Sequence, residues 1–348
     1  MASSSAQIDV STLPSSPTSP SWESPRHFTF DLGSAIVTGP IQPLTPTGKA
    51  LKQLSIELEI LVEDNLSLAT VQNFLDRYKI PYGSGTEEAS AIHPLVLEWL
   101  SHREILKIVL EKNREDIARY LIDQGFSVNG DGIHEMCKKS PELVKQVIEQ
   151  GKWDINQPIS ETLPPILASF PTNPEMIQYL LVHGANPNLA SSNGNYTIFH
   201  SLSQYATIAV LTLVLSASPA SILPGSPSAD VVFHAATAHT HRKDRIDIIK
   251  FLLDNGAPID MVAGCGKYEN QAKYLVQLWA MGRKTALHWA VEHGMVDLVE
   301  FLVQRGADVG KETWSLRTGS RWVSVEELAV MCDYEDIREV LVRGKGEV

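Results

Sequence analysis

The sequence predicts an all-α fold in which about six to seven similar helix pairs stack into one extended array. Two observations predict it: a local motif that marks a pair of helices, and the return of that motif at intervals near 33 residues. Each pair has too little apolar surface to fold alone, so neighbouring pairs must cover one another. A short helical region and a Ser/Pro-rich tail are expected before the array.

The motif is clearest in the stretch KTALHWAVEHG. Thr285 is expected to cap a helix over Ala286–His293, because its hydroxyl accepts a backbone N–H at the helix start. Gly294 ends that helix, since glycine enters the left-handed conformation without a steric penalty. A second amphipathic helix is predicted over Val296–Gln304, and it ends at Gly306.

The same frame recurs along the chain when it is anchored on His288, and we number the units 1 to 7 by their anchors. In chain order, the anchors are Lys107, His134, Leu167, His200, His234, His288 and Glu327. They are separated by 27, 33, 33, 34, 54 and 39 residues. The glycines expected to end second helices are Gly125, Gly151, Gly184, Gly256 and Gly306. A motif with this period is typical of stacked helical repeats.

Composition divides the chain into three predicted segments: residues 1–47, 48–91 and 92–348. The first is a Ser/Pro-rich tail, and Met1–Pro25 is expected to be disordered because it has too few apolar residues to offset its ordering entropy. Its Ser-Pro dipeptides are either phosphorylation sites or part of a compositionally biased linker. The second segment is predicted to be a helical cap on the first unit, followed by the connector IPYGSGTEE. The cap's apolar stripes are Leu51, Leu54, Leu58 and Leu61, then Leu68, Val71, Phe74, Leu75 and Tyr78.

The third segment is the repeat domain, interrupted by predicted insertions near 216–229, 261–283 and 310–323. The first is rich in Pro and Ser, and the last contains Trp314 and Trp322. The middle one, with the helical spacing of YENQAKYLVQLWAM, is either a partner-binding wedge or a segment that folds back on an irregular junction. The apolar run over 207–215 is expected to be a buried helix of the array.

Charge and motifs exclude several classes of function. The net charge of −12, without Lys/Arg runs, disfavours direct binding of nucleic acid or an anionic membrane. Three scattered cysteines and a start without a secretory signal favour a soluble intracellular protein in the cytoplasm, the nucleus or both. His234, His239 and His241 lie close together, but no further ligand completes a zinc set. We therefore expect no metal, no cofactor and no enzymatic activity.

From about Glu104 to Leu341 the chain resembles the ankyrin-repeat family, through the T-x-L-H-x-A motif and the GAN, GAP and GAD helix ends. The resemblance implies a non-catalytic scaffold or adaptor that binds a protein partner in a groove lined by the first helices. The partner contacts it implies are Lys284, Glu292 and His293 in one unit and Tyr196, Gln204 and Tyr205 in another. Glu292 and His293 are expected to be exposed; Trp279 joins this set from the middle insertion, and His239 is a weaker candidate. The same comparison gives a structural role to Thr285, Leu287, His288, Ala290, Gly294 and Gly306.

Two alternative functions remain at this stage. One is an accessory or enzymatic component of a dedicated pathway, for example in fungal specialised metabolism, with a pocket in the irregular repeats around Ser216–Arg283. The other is a nuclear transcriptional co-regulator. A deep apolar pocket with convergent polar groups would favour the first alternative over a shallow partner-binding groove. The partner's identity is not encoded in these motifs, and a monomer is expected.

Overall fold

The computed structural model describes residues 56–58, 67–77, 79–81, 90–92, 97, 104–238, 243–263, 284–315 and 321–345. The chain divides into two units, residues 1–44 and 45–348, and the first lies wholly outside the described residues. The predicted disorder of Met1–Pro25 therefore stays a prediction. Trp279, His239 and His241 also lie outside the described residues, as does most of the middle insertion.

The described residues form helix pairs joined by short turns. After α1 (Leu68–Asp76) the pairs are α2 (Ile105–Glu111) with α3 (Glu115–Asp123), α4 (Gly130–Lys139) with α5 (Pro141–Glu149), a 3-10 turn (Ile166–Ser169) with α6 (Pro174–Val182), α7 (Ile198–Tyr205) with α8 (Ile208–Ala217), α9 (Val231–Ala236) with α10 (Arg245–Asp254), α11 (Ala286–Glu292) with α12 (Val296–Gln304), and α13 (Val325–Met331) with α14 (Glu335–Lys345). Seven pairs are thus present in the described part of the chain. Every anchor lies in the first member of its pair, which confirms the predicted frame.

The first helices of successive units pack side by side from α2 to α13, and their apolar faces form one continuous core. The anchor motif places two residues of unit 6 in this core, since Leu287 and Ala290 are almost fully buried. Helix α8, which contains the apolar run over 207–215, buries Val210, Leu211, Val214 and Leu215, as predicted. Helix α1 buries Val71, Phe74 and Leu75 and packs against α3 of the first unit.

Backbone conformation explains where the helices end. The five second-helix glycines and Gly294 all have positive φ, as predicted. Asn113 and Asp333 occupy the place of Gly294 in units 1 and 7, six residues after the anchor, with φ of 56° and 55°. Asn and Asp tolerate this left-handed conformation better than other non-glycine residues. A search for glycine therefore misses the ends of the first helices in units 1 and 7.

Short elements occur where the sequence predicted only connectors or loops. Strands β1 (Lys79–Pro81) and β2 (Ser90–Ile92) pair antiparallel and flank most of the predicted connector. In the first insertion a 3-10 turn at Pro219–Ile222 buries Ile222 against the core. In the last insertion, β3 (Glu312–Ser315) and β4 (Arg321–Ser324) form a hairpin whose register pairs Trp314 with Trp322.

The long interval between units 5 and 6 does not separate these units. The backbone N–H of Ala263 donates to the carbonyl of Lys284 at 3.0 Å, so the two ends of the 264–283 segment lie side by side. Across the same junction, Arg305 forms an ion pair with Asp254 at 2.6 Å, and α9 packs against α11. The insertion therefore leaves and re-enters the array at one place.

Candidate functional site

The candidate contact residues occupy three places relative to their anchors: four residues before, four after and five after. We call the surface formed by these side chains the first-helix surface. In unit 4 the three places hold Tyr196, Gln204 and Tyr205. In unit 6 they hold Lys284, Glu292 and His293.

In unit 4 the side chains before and after the anchor are bonded to each other. The Tyr196 hydroxyl donates to Gln204 Oε1 at 2.8 Å, and Gln204 Nε2 donates to Thr237 Oγ1 of unit 5 at 3.1 Å. Burial raises the pKa of Tyr196, so its hydroxyl keeps the proton that this bond requires. Tyr205, one position further on, is 48% exposed. Tyr196 and Gln204 are thus fixed in place, and the neighbouring Tyr205 is exposed to solvent.

Unit 6 repeats this arrangement with charged groups. The Lys284 ammonium donates to the Glu292 carboxylate, and the two residues are only 8% and 5% exposed. The expectation that Glu292 faces solvent is therefore wrong. Its carboxylate is buried, where it pairs with the ammonium group of the buried Lys284. His293 is exposed, as expected, and its ring stacks on Trp289 with centroids 3.9 Å apart.

Between these two groups lies a cluster that the sequence did not predict. His200 of unit 4 and His234 of unit 5 stack with ring centroids 4.2 Å apart, and both face Asp230. His200 Nε2 lies 2.7 Å from Asp230 Oδ1, and His234 Nε2 lies 3.7 Å from Asp230 Oδ2. Asp230 occupies the place four residues before its anchor. Its carboxylate bonds to His200 of the preceding unit. Tyr196 and Lys284, at the same place in their units, instead bond within their own units.

Hydrogen bonds determine which tautomer His200 adopts. The backbone N–H of Thr197 donates to His200 Nδ1 at 3.1 Å, and the Thr197 hydroxyl accepts the His200 backbone N–H at 3.2 Å. This reciprocal cap at the start of α7 leaves the imidazole proton on Nε2, where it is donated to Asp230. Burial alone would raise the pKa of Asp230, but the two histidines outweigh it and hold this pKa well below its usual range. Burial lowers the pKa of His234, and the nearby His200 lowers it further.

The cluster has the residue types of a metal site, since its three ligand atoms lie within 4.8 Å of one another. The geometry does not suit a metal ion. The Nε2 lone pair of His200 is occupied by a proton, because Nδ1 accepts the Thr197 N–H. The two rings are tilted by only 28°, so their in-plane lone pairs do not converge on one point. The cluster instead joins unit 4 to unit 5, so these two anchor histidines have a structural role, as was implied for His288.

The irregular repeats contain a small open pocket of about 240 Å³ between α8 and α10. It is smaller than the ~300–1,000 Å³ of ordinary ligand sites. The Thr212 and Ser216 hydroxyls and the Asn255 amide all donate to carbonyls of their own helices, at 2.7 to 2.8 Å. These polar groups therefore do not converge on a ligand, and the pocket gives no support to an enzymatic role. None of the helices in the described ranges is long and apolar enough to cross a bilayer.

A comparison with family models agrees with this architecture. Residues 232–313 match the model of a family described as ankyrin repeats, in three copies. Among solved structures, the human ASB11 ankyrin repeat domain is similar to this chain at 18% identity with a TM-score of 0.42; the similarity covers 61% of this chain and 82% of that one. No curated protein matches the chain. Ankyrin repeats are generally non-catalytic and typically mediate protein–protein interaction. Residues 232–313 thus carry ankyrin repeats, and the other units share their repeated motif and stacked helix pairs.

Proposed function

We propose that this protein is a non-catalytic adaptor that binds a protein partner on the first-helix surface of units 4 to 6. The observation that carries the proposal is the combination of fixed and exposed side chains there. Tyr205 and His293 are exposed, while the bonds of Gln204 and the stacking of Trp289 hold their surroundings rigid. Aromatic side chains on a pre-organised surface dominate binding energy, because little conformational freedom is lost on association.

The corrected positions of Lys284 and Glu292 narrow the proposed contact set. These two residues neutralise each other beneath the surface, so their role is to support the neighbouring side chains. The groups proposed to contact the partner directly are Tyr205, His293 and the exposed part of Trp289. The same proposal includes Trp279 of the middle insertion as a contact, because the insertion starts and ends beside Lys284.

Site-specific photo-crosslinking tests the proposal. A photoreactive amino acid is placed at Tyr205, at His293 or, as a control, at Val182, which is 76% exposed on α6, a second helix. We expect the same protein to be crosslinked from the first two positions in the native cell, and not from Val182. Substitution of Tyr205 and His293 by Ala should then abolish its co-purification. Equal crosslinking from all three positions would show that the first-helix surface is not the contact.

A further inference from the structure

The C-terminal end of the described array exposes an unusual amount of apolar surface. Val330 is 59% exposed, Met331 48%, and Val342 on α14 69%. Trp322, on strand β4 just before α13, is 54% exposed. We call Val330, Met331 and Val342 the end patch. Single exposed apolar residues are ordinary, whereas several on one unit mark an interaction surface.

Comparison of units 6 and 7 shows what kind of surface this is. Val330 lies three residues after its anchor, as Val291 does in unit 6, and Val291 is fully buried where α13 packs on α11. Val342 lies fifteen residues after its anchor, as Val303 does, and Val303 lies against Gly344 of α14. Val330 and Val342 therefore occupy the places that the next helix pair of a stack would cover.

Charge indicates which helix would fit there. Residues 322–337 contain five carboxylates, namely Glu326, Glu327, Asp333, Glu335 and Asp336, and no lysine or arginine. The rest of α14 adds Glu339 together with Arg338, Arg343 and Lys345, so the negative charge is concentrated on α13 and the start of α14. A helix that covers the patch would bury its apolar face on Val330 and Val342 and would meet these carboxylates at its edge. Complementarity requires basic residues along that edge.

Unit 7 also carries polar residues at two places that are apolar and buried in unit 6. Glu326 occupies the place of the buried Leu287, and Arg338 occupies that of the buried Val299. Polar replacements of this kind keep a repeat surface compatible with water. A surface that combines a stable polar frame with an apolar centre suits a partner that associates and dissociates.

We propose that the end patch and the acidic side of α13 dock a basic amphipathic helix of a partner protein, stacked on unit 7 as an eighth helical layer would be. This second contact lies on unit 7 and does not depend on the proposed contact at units 4 to 6. A partner with such a helix could bind at the end of the array while units 4 to 6 engage another protein.

A model peptide tests the proposal on the full chain. The probe is a fluorescein-labelled Leu/Lys peptide of about 18 residues, long enough to form an amphipathic helix. Its binding is measured by fluorescence anisotropy. The matched variants are Val330→Ser with Met331→Ser for the end patch, and Val182→Ser for an exposed valine elsewhere. A third variant, Glu326→Gln with Glu335→Gln, removes charge beside the patch. A Leu/Glu peptide of the same pattern serves as the probe of opposite charge.

We expect the Leu/Lys peptide to bind the parent and the Val182→Ser variant equally, and the end-patch variant about tenfold more weakly. The charge variant should bind more weakly as salt-dependent attraction is lost. Equal binding by the parent and the end-patch variant, comparable binding of the Leu/Glu peptide, or no binding would overturn the proposal. The Tyr205→Ala, His293→Ala variant should bind the peptide as the parent does, so failure of the first-helix proposal is distinguishable from failure of this one.

Discussion

Glu292→Ala is expected to destabilise the array strongly, although the residue occupies a place that ankyrin repeats use for partner contacts. The substitution removes the carboxylate partner of Lys284 and leaves an unpaired ammonium group on a residue that is only 8% exposed. For charges about 4 Å apart at an effective dielectric of about 20, the lost attraction is about 4 kcal/mol. Removal of one partner of a buried ion pair typically costs about 3–5 kcal/mol, because the remaining charge is uncompensated. We expect the free energy of unfolding to fall by about this amount.

The assay is urea denaturation followed by far-UV circular dichroism, with two matched variants. His293→Ala removes the exposed neighbour and should change the free energy of unfolding by less than about 0.5 kcal/mol. Lys284→Met combined with Glu292→Leu replaces both charges by apolar groups and should recover most of the loss, because no buried charge is left unpaired. If Glu292→Ala alone changed stability by less than about 0.5 kcal/mol, the pair would be solvated and the reasoning refuted.

Three further predictions concern the core, the pH dependence and the histidine cluster. Val291→Ala should lower the free energy of unfolding, measured by urea denaturation, by about 2 kcal/mol. Val330→Ala, at the same place of unit 7, should lower it by less than about 0.5 kcal/mol. Equal losses would contradict the assignment of these two residues to equivalent places in the stack. Burial lowers the pKa of His288 from 6.5 to about 4, so the folded state binds fewer protons; stability should be complete above pH 6.5 and fall by up to about 3 kcal/mol as pH drops toward 4. His288→Gln should flatten the slope between pH 6.5 and 5 in unfolding titrations, and an unchanged slope would contradict this assignment. Elemental analysis of purified protein should find well below one equivalent of zinc, since one equivalent would contradict the proton assigned to His200 Nε2.

The sequence by itself determined the architecture, because the relevant signals are local. A threonine cap, an amphipathic period and a glycine in the left-handed conformation act within one helix pair, and their recurrence identified the units. The same logic failed at Asn113 and Asp333, where another residue type adopts the conformation expected of glycine. It also missed the β1–β2 hairpin, whose stabilisation depends on pairing between separate segments.

Only the tertiary structure decided which polar side chains face water. Lys284 and Glu292 lie eight residues apart, and nothing in their spacing shows that helix α11 and its neighbours bury both and force them together. The contact of His200 with Asp230 spans 30 residues and depends on the packing of α7 against α9. The exposure of Val330 depends on what covers its unit, since Val291 has the same side chain at the same place and is buried. Local propensity is encoded residue by residue, whereas burial is a property of the neighbours that packing supplies.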